Sequence, residues 1–359
     1  MLVGSLCAGL VVAAVVITLG SPIVDEPALY ASLRGFMGLG LLVVGLYGWA
    51  LDPGARYPVL LLTLCCLAGL TSLTGVDDPW LFTLGRIATA ATTITTVYVF
   101  LAYPDGRIRE PPARKLVTAG AGGTALLLAL SLVLSQEQPV AGPFVRCSGD
   151  CPENPLALAG ATAGMGRAST AALGLLTAAI TAGAAVLLAR RMRSATALER
   201  RSIGPVLAWA ALVAGGYAVY VAVRVVDDGS VALAGIGTVI AVTIALIPAA
   251  LAVGLVSGRV FAASALRRTV VSLGERPSPA GLRDALAGSF RDPALRLVFW
   301  APTVARYVDE LGRPAEMPEP GARTAFTRFD RDGEPVAAAI HDRALSDDPG
   351  ALQAAGNVL

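Results

Sequence analysis

The stretch "LAGIGTVIAVTIALIPAALAVGLV", residues 233–256, decides the fold, because no charged side chain interrupts it. A helix needs about 20 mostly apolar residues to cross the hydrocarbon core of a bilayer. The residues that follow, "SGRVFAASALRRTVVSL" at 257–273, introduce arginines and end the continuous hydrophobicity. We therefore predict that residues 233–256 form the last of a series of transmembrane helices.

Similar apolar segments precede this stretch. The eight predicted spans are 2–20, 35–51, 57–75, 84–102, 116–135, 168–189, 203–224 and 233–256. The chain of 359 residues is 55% hydrophobic and only 15% charged, a balance too apolar for a soluble protein of this length. The first segment lacks the positive start of a signal peptide and is long for its apolar core, so we expect it to be a retained span.

The charges of the short loops predict the orientation, because cytoplasmic loops carry an excess of Lys and Arg. Loops 103–115 and 190–202 are rich in basic residues. The alternating loops are acidic, with "SPIVDEP" at 21–27, "GVDDPW" at 75–80 and "VDDGS" at 226–230. This pattern predicts a multi-pass protein of the plasma membrane with both termini in the cytoplasm.

Polar residues within the spans bear on a transport function. Four arginines lie near the predicted outer ends of spans, where they can reach the membrane surface: Arg34, Arg86, Arg167 and Arg224. We expect no charge in the middle of a span, so a transporter remains open but without support. The run "TAATTITT" at 89–96 offers hydroxyls to its own helix or to a neighbour, with packing favoured over a solute path.

The five cysteines fall into two groups. Three lie inside predicted spans and are expected to be small buried apolar groups: Cys7, Cys65 and Cys66. Cys147 and Cys151 lie in the longest outer loop, 136–166, where an oxidising environment and their spacing favour a disulfide. A metal site would need further ligands, and this loop has no histidine, so we predict no metal site. This outer loop is long enough to form a pocket.

Beyond the last span, a soluble cytoplasmic part of about 100 residues is long enough for one small core. Between Arg259 and Leu359 the sequence has thirteen arginines and thirteen acidic residues. A nucleic-acid-binding module would be visibly basic. We therefore do not expect nucleic acid as a partner. The expected partners are the lipid bilayer and other protein chains.

The soluble part has a helix and strand pattern. Ser278 is a favoured N-cap with Pro279 at the first helical position. Four strands are predicted: "ALRLVFW" at 294–300, "ARYVD" at 305–309, "RTAFTRF" at 323–329 and "EPVAAAIH" at 334–341. The segment "DRDGEP" between the last two is a hairpin turn signal. These elements predict a small α+β domain of the GAF kind.

Four segments together resemble a known family: "YPDGRI" at 103–108, "ERRSIGPVLAWA" at 199–210, "DPALRLVFW" at 292–300 and "FTRFDRDGEPVAAAIHDRALSDDPGALQAAG" at 326–356. They are similar to membrane-bound sensor histidine kinases of bacterial two-component systems, of the NarL-linked type. The resemblance covers the N-terminal multispan part and the GAF-like part, without the kinase core. It implies a homodimer, or a heteromer with a full-length sensor kinase.

The resulting domain prediction has four parts. Residues 1–256 form a transmembrane sensor domain, 257–278 a helical linker, 279–347 the GAF-like domain, and 348–359 the start of a signalling or dimerisation helix. Function then follows from the resemblance as an expectation: signal sensing and transmission. The alternatives are a multispan transporter or membrane enzyme, and a structural membrane protein that binds a partner.

His341, the single histidine, is not expected to be the phosphoacceptor. In the resembling family that residue lies on a helix within a charged box, whereas His341 follows the strand "EPVAAAI". We predict a structural residue at a strand end that bonds a backbone group or Asp342. The sequence shows no ATP-binding motif and, in its soluble part, no cysteine for a bilin, so we predict neither catalytic residues nor a cofactor.

The terminal segment has the pattern of a short helix. Asp347 and Asp348 can cap it, and Pro349 suits its first position. Its seam is formed by Leu352, Ala355 and Leu359. A helix of about eleven residues is too short to be stable alone. It either packs on its own domain or extends a dimer, and the resemblance favours the dimer.

Overall fold

The computed structural model describes residues 2–24, 26–136, 152–158, 160, 162–195, 200, 203–226, 231–254, 283–284, 286–287, 292, 294–309, 311–315, 324–331 and 334–342. The chain divides into two compact units. The first contains Met1–Ser194 and Val206–Ala252, and the second contains Ala195–Pro205 and Val253–Leu359.

The first unit is an assembly of apolar helices. Their bounds are α1 Leu2–Leu19, α2 Pro27–Leu51, α3 Arg56–Leu70, α4 Pro79–Leu101, α5 Pro111–Leu134, α6 Ala163–Ser194, α7 Gly204–Val226 and α8 Val231–Ala245, with a 3₁₀ helix at Thr71–Gly75 after α3. By length and composition, seven helices of the described residues can cross a membrane, and α1 is apolar but shorter. The chain therefore has the architecture of a multi-pass membrane protein.

Proline marks where helices begin and where one is interrupted. Pro27, Pro79 and Pro111 each occupy the first turn of a helix, where the missing N–H costs nothing. Asp78 caps α4, because its Oδ1 accepts hydrogen bonds from the backbone N–H groups of Trp80 and Leu81. α8 ends at Ala245, and after a turn at position 246 a further helical segment covers 247–254, with Pro248 in its first turn.

Glycine permits close approach of helices at two positions. A Cβ added at Gly40 of α2 would lie 2.7 Å from Pro248, and one added at Gly85 of α4 would lie 2.5 Å from the backbone nitrogen of Thr74. Neither distance is compatible with a larger residue unless the backbone moves. Small residues thus set the spacing between these helices.

The prediction that all three cysteines of the spans are simple buried apolar groups is wrong for two of them. Cys7 of α1 and Cys66 of α3 form a disulfide with a Cα–Cα distance of 5.3 Å. Cys65 is buried as a free thiol, and its Sγ donates to the carbonyl of Gly38. The sequence could not reveal the pairing because it depends on how α1 packs against α3. The predicted pair Cys147 and Cys151 lies outside the described residues.

The second unit contains a four-stranded antiparallel sheet. Its strands are β1 Arg296–Ala301, β2 Arg306–Val308, β3 Thr324–Arg331 and β4 Glu334–Asp342, in the order β2-β1-β4-β3. They coincide with the four predicted strands, and β3 and β4 form the predicted hairpin. The predicted linker 257–278 and the seam residues Leu352, Ala355 and Leu359 lie outside the described part of the chain.

β4, one of the two inner strands of the sheet, is buried on both faces. Its residues 337–341 are all buried, as expected for a strand flanked by two neighbours with both faces covered. The carboxylate of Asp292 joins the start of the sheet to this strand. It accepts hydrogen bonds from the backbone N–H groups of Ala294 and of Asp342 at the strand end. This contact holds the segment before β1 against the end of β4.

Candidate functional site

A cavity of about 110 Å³ lies among the helices of the first unit. Most of its lining is apolar, with Met37, Leu41 and Phe100 among the lining residues. Seven threonines also line it, and they are Thr71, Thr74, Thr89, Thr92, Thr93, Thr96 and Thr181. Ligand sites are typically apolar cavities with a few placed polar groups. This cavity is therefore the candidate functional site.

Helix α4 contributes its threonines at spacings of three and four residues, which places them on one face. The hydroxyls of Thr89, Thr92, Thr93 and Thr96 each donate to the carbonyl four residues earlier, at 2.7 to 3.0 Å. These bonds are to their own helix, which is one of the two alternatives that the sequence left open. Because each hydroxyl proton is already donated, the oxygens can only accept further hydrogen bonds. The cavity wall consequently presents methyl groups and acceptors.

Arg34 lines the same cavity and is only 5% exposed. Its Nη1 donates to the hydroxyl oxygen of Thr71 at 3.3 Å. The prediction that Arg34 sits at a span end is wrong, because α2 begins at Pro27 rather than at residue 35. Arg34 is thus about 10 Å along the helix from its start. The missed signal was Pro27, a residue that favours the first position of a helix.

Arg86 is buried in the same way but does not line the cavity. It is 5% exposed, and its Nη2 donates to the hydroxyl of Ser131 on α5 at 2.9 Å. It lies two turns into α4, which begins at Pro79, so its predicted place at a span end is also wrong. Arg167 and Arg224 do lie near helix ends, as predicted.

The cavity combines one cationic group with a mostly apolar wall. Among the described residues that line it, none is acidic. Tyr217 also lines the cavity, and its hydroxyl is hydrogen-bonded with Thr93. A guanidinium beside apolar surface attracts an anionic or hydrogen-bond-accepting group. The arrangement suits a small molecule with an acceptor at one end and an apolar body.

A second cluster lies at the turn after α4. Arg191 of α6 donates from Nη1 to the backbone carbonyl of Tyr103 at 2.8 Å, a favourable position for a cation near a helix C-terminus. Burial raises the pKa of Tyr103 to about 12, and the charge of Arg191 partly offsets this rise. Tyr103 packs edge-to-face on Tyr57 at the start of α3. This cluster ties α3, α4 and α6 together at one end.

His341 lies at the end of β4 and is 1% exposed. Its Nδ1–H donates to the backbone carbonyl of Asp342 at 2.7 Å, and its Nε2 accepts from the hydroxyl of Thr327 at 2.9 Å. This tautomer is assigned from the partners, since a carbonyl can only accept. The predicted bond from His341 to a backbone group is confirmed.

No metal cluster occurs among the described residues, where no group of three or more His, Cys, Asp or Glu side chains comes together. Comparisons of the chain with family models, with curated proteins and with solved structures found no match.

Proposed function

We propose that this chain is the signal-sensing and transmission part of a bacterial two-component sensor histidine kinase. In this proposal the helical unit lies in the plasma membrane with both termini in the cytoplasm. The sheet unit is the core of a GAF-like domain. In this proposal the kinase activity resides in a catalytic core that is not among these 359 residues.

The single observation that carries the proposal is the cavity of the helical unit. It combines apolar walls, accepting hydroxyl oxygens and the buried cation Arg34, a composition that is common in small-molecule sites. Because six helices and the 3₁₀ helix contribute to its lining, a bound molecule would bias the packing of many helices at once. Such a bias is how a ligand shifts a conformational equilibrium.

The test is a chimaera in which the chain precedes the catalytic core of a NarL-linked kinase, reconstituted in liposomes. Ala214 lines the cavity and is buried, so Ala214→Leu fills part of the space. Ala125 of α5 is exposed, and Ala125→Leu is the matched control. We expect Ala214→Leu to change the autophosphorylation rate at least about threefold, while the control leaves it unchanged. Equal rates for both variants would contradict the sensing role.

A solute transporter is the second candidate, and the buried Arg34 and Arg86 favour it. Charged residues inside a membrane domain often mark substrate pathways. Liposomes containing the protein would then release a trapped labelled carboxylate faster than protein-free liposomes. Arg34→Gln would abolish this difference. Identical release rates with and without protein would exclude transport of that solute class.

A further inference from the structure

We infer that the threonine-lined cavity binds a short-chain carboxylate, with the carboxylate at Arg34 and the alkyl chain against the apolar wall. The inference deepens the proposed sensing function and rests on it for its physiological meaning. Binding itself requires only the geometry of the helical unit.

The size of the cavity limits the ligand. An apolar protein cavity of about 150 Å³ accommodates benzene, which has six heavy atoms, so the 110 Å³ found here has room for a molecule of roughly four to six heavy atoms. A carboxylate of about three or four carbons fits this limit. Fatty acids of ten or more carbons exceed it.

Charge selects the class of ligand. The guanidinium of Arg34 lines the cavity together with Thr71, to which it is hydrogen-bonded. A carboxylate can form a charge-assisted hydrogen bond with a guanidinium, which is stronger than a neutral one. The low polarity of the surroundings strengthens this bond further. An organic cation would instead meet Arg34 as a like charge.

The threonines select the orientation of the ligand. Their hydroxyl protons are donated to backbone carbonyls along α4, so they offer no hydrogen to an anion. The carboxylate is therefore stabilised at Arg34 alone, and the threonine methyl groups contact the alkyl chain. Met37 and Leu41, on the same helix as Arg34, extend this apolar wall. A polyol would leave most of its hydroxyls without donors and is disfavoured.

The experiment measures binding to the purified full chain in detergent by isothermal titration calorimetry. The probes are butanoate, the uncharged 1-butanol of the same chain length, and decanoate. We expect butanoate to bind at least about tenfold more tightly than 1-butanol, which corresponds to one charge-assisted hydrogen bond. Decanoate is expected to show no saturable binding at this site.

Two equally buried arginines provide the matched variants. Arg34→Gln should weaken butanoate binding at least about tenfold, whereas Arg86→Gln, which alters an arginine outside the cavity, should leave it within about twofold. Ala214→Leu should also weaken binding, because it removes space, and it stays informative if Arg34→Gln fails to fold. Ala125→Leu should have no effect.

Three results would overturn the inference: no butanoate binding at tens of millimolar, equal affinity for butanoate and 1-butanol, or equal losses in the Arg34 and Arg86 variants. The two proposals also fail separately. A chimaera that responds to cavity filling without butanoate binding refutes the ligand class alone. Butanoate binding that never alters autophosphorylation refutes the sensing role, while the binding site itself stands.

Discussion

The Nε2 atom of His341 lies 2.9 Å from the hydroxyl oxygen of Thr327, across the β3–β4 pair. In the register of this pair His341 is opposite Ala325 and Thr327 is opposite Ala339, so the two side chains are diagonal neighbours on one face. The other ring nitrogen bonds the backbone of Asp342. Both nitrogens of the imidazole are thus engaged in holding the end of the sheet.

We predict that the purified chain does not autophosphorylate at His341. Attack on a phosphoryl group by Nε2 would require the hydrogen bond to Thr327 to break and a buried ring to reach solvent. Incubation with labelled ATP, followed by electrophoresis, measures the incorporated label. Label that is present in the wild-type chain and lost in His341→Ala would show that this residue is a phosphoacceptor.

We predict an alternating topology from the charges of the loops. Reporter fusions after residues 110, 150, 196 and 229 should report inside, outside, inside and outside. Enzymatic reporters that are active on only one side of the membrane provide the measurement. A periplasmic signal from the fusion at 196 would contradict the orientation.

We predict two disulfides in the native membrane, Cys7–Cys66 from the geometry and Cys147–Cys151 from the loop sequence. After denaturation without reductant, alkylation should modify Cys65 alone. With reductant, all five cysteines should be labelled, as read by peptide mass spectrometry. Complete labelling of Cys147 and Cys151 without reductant would contradict the predicted loop disulfide. Labelling of Cys7 and Cys66 under the same conditions would contradict the other disulfide.

We predict that Gly85→Ala destabilises the helical unit by about 1–3 kcal/mol. The added Cβ would lie 2.5 Å from the backbone nitrogen of Thr74, so the cavity-lining 3₁₀ helix or α4 must shift. Gly122→Ala in α5 is the matched control, because its Cβ meets nothing within 4 Å. Thermal unfolding in detergent should show a lower midpoint for the first variant alone. Equal midpoints would contradict this close approach.

We predict that the terminal segment contributes to a dimer. A single cysteine placed at position 352 or 359, in a variant otherwise free of cysteine, should crosslink in membranes. Because that variant lacks the Cys7–Cys66 bond, its fold must first be verified by its thermal unfolding midpoint. Crosslinking at a control site within 266–273 but at neither terminal position would assign the segment to the core of its own domain.

Local signals in the sequence predict which segments form helices and which form strands. Long apolar segments, prolines at first helical positions and the "DRDGEP" turn are local signals, and each acts within a few residues. The predicted spans and strands therefore coincide with the observed elements, and the predicted backbone bond of His341 was found. The starts of α2, α4, α5 and α6 were each placed five or more residues too late. In three of them the predicted span began directly after a basic residue, which the helix in fact includes: Arg34, Lys115 and Arg167.

The tertiary structure alone decided which side chains meet. Arg34 with Thr71, Cys7 with Cys66 and His341 with Thr327 are each separated by tens of residues or by a strand turn. No local periodicity specifies such contacts, because they depend on the rotation and register of one element against another. The cavity follows from the same cause. Its threonines and arginine come from different helices, and only the packing of those helices leaves space between them.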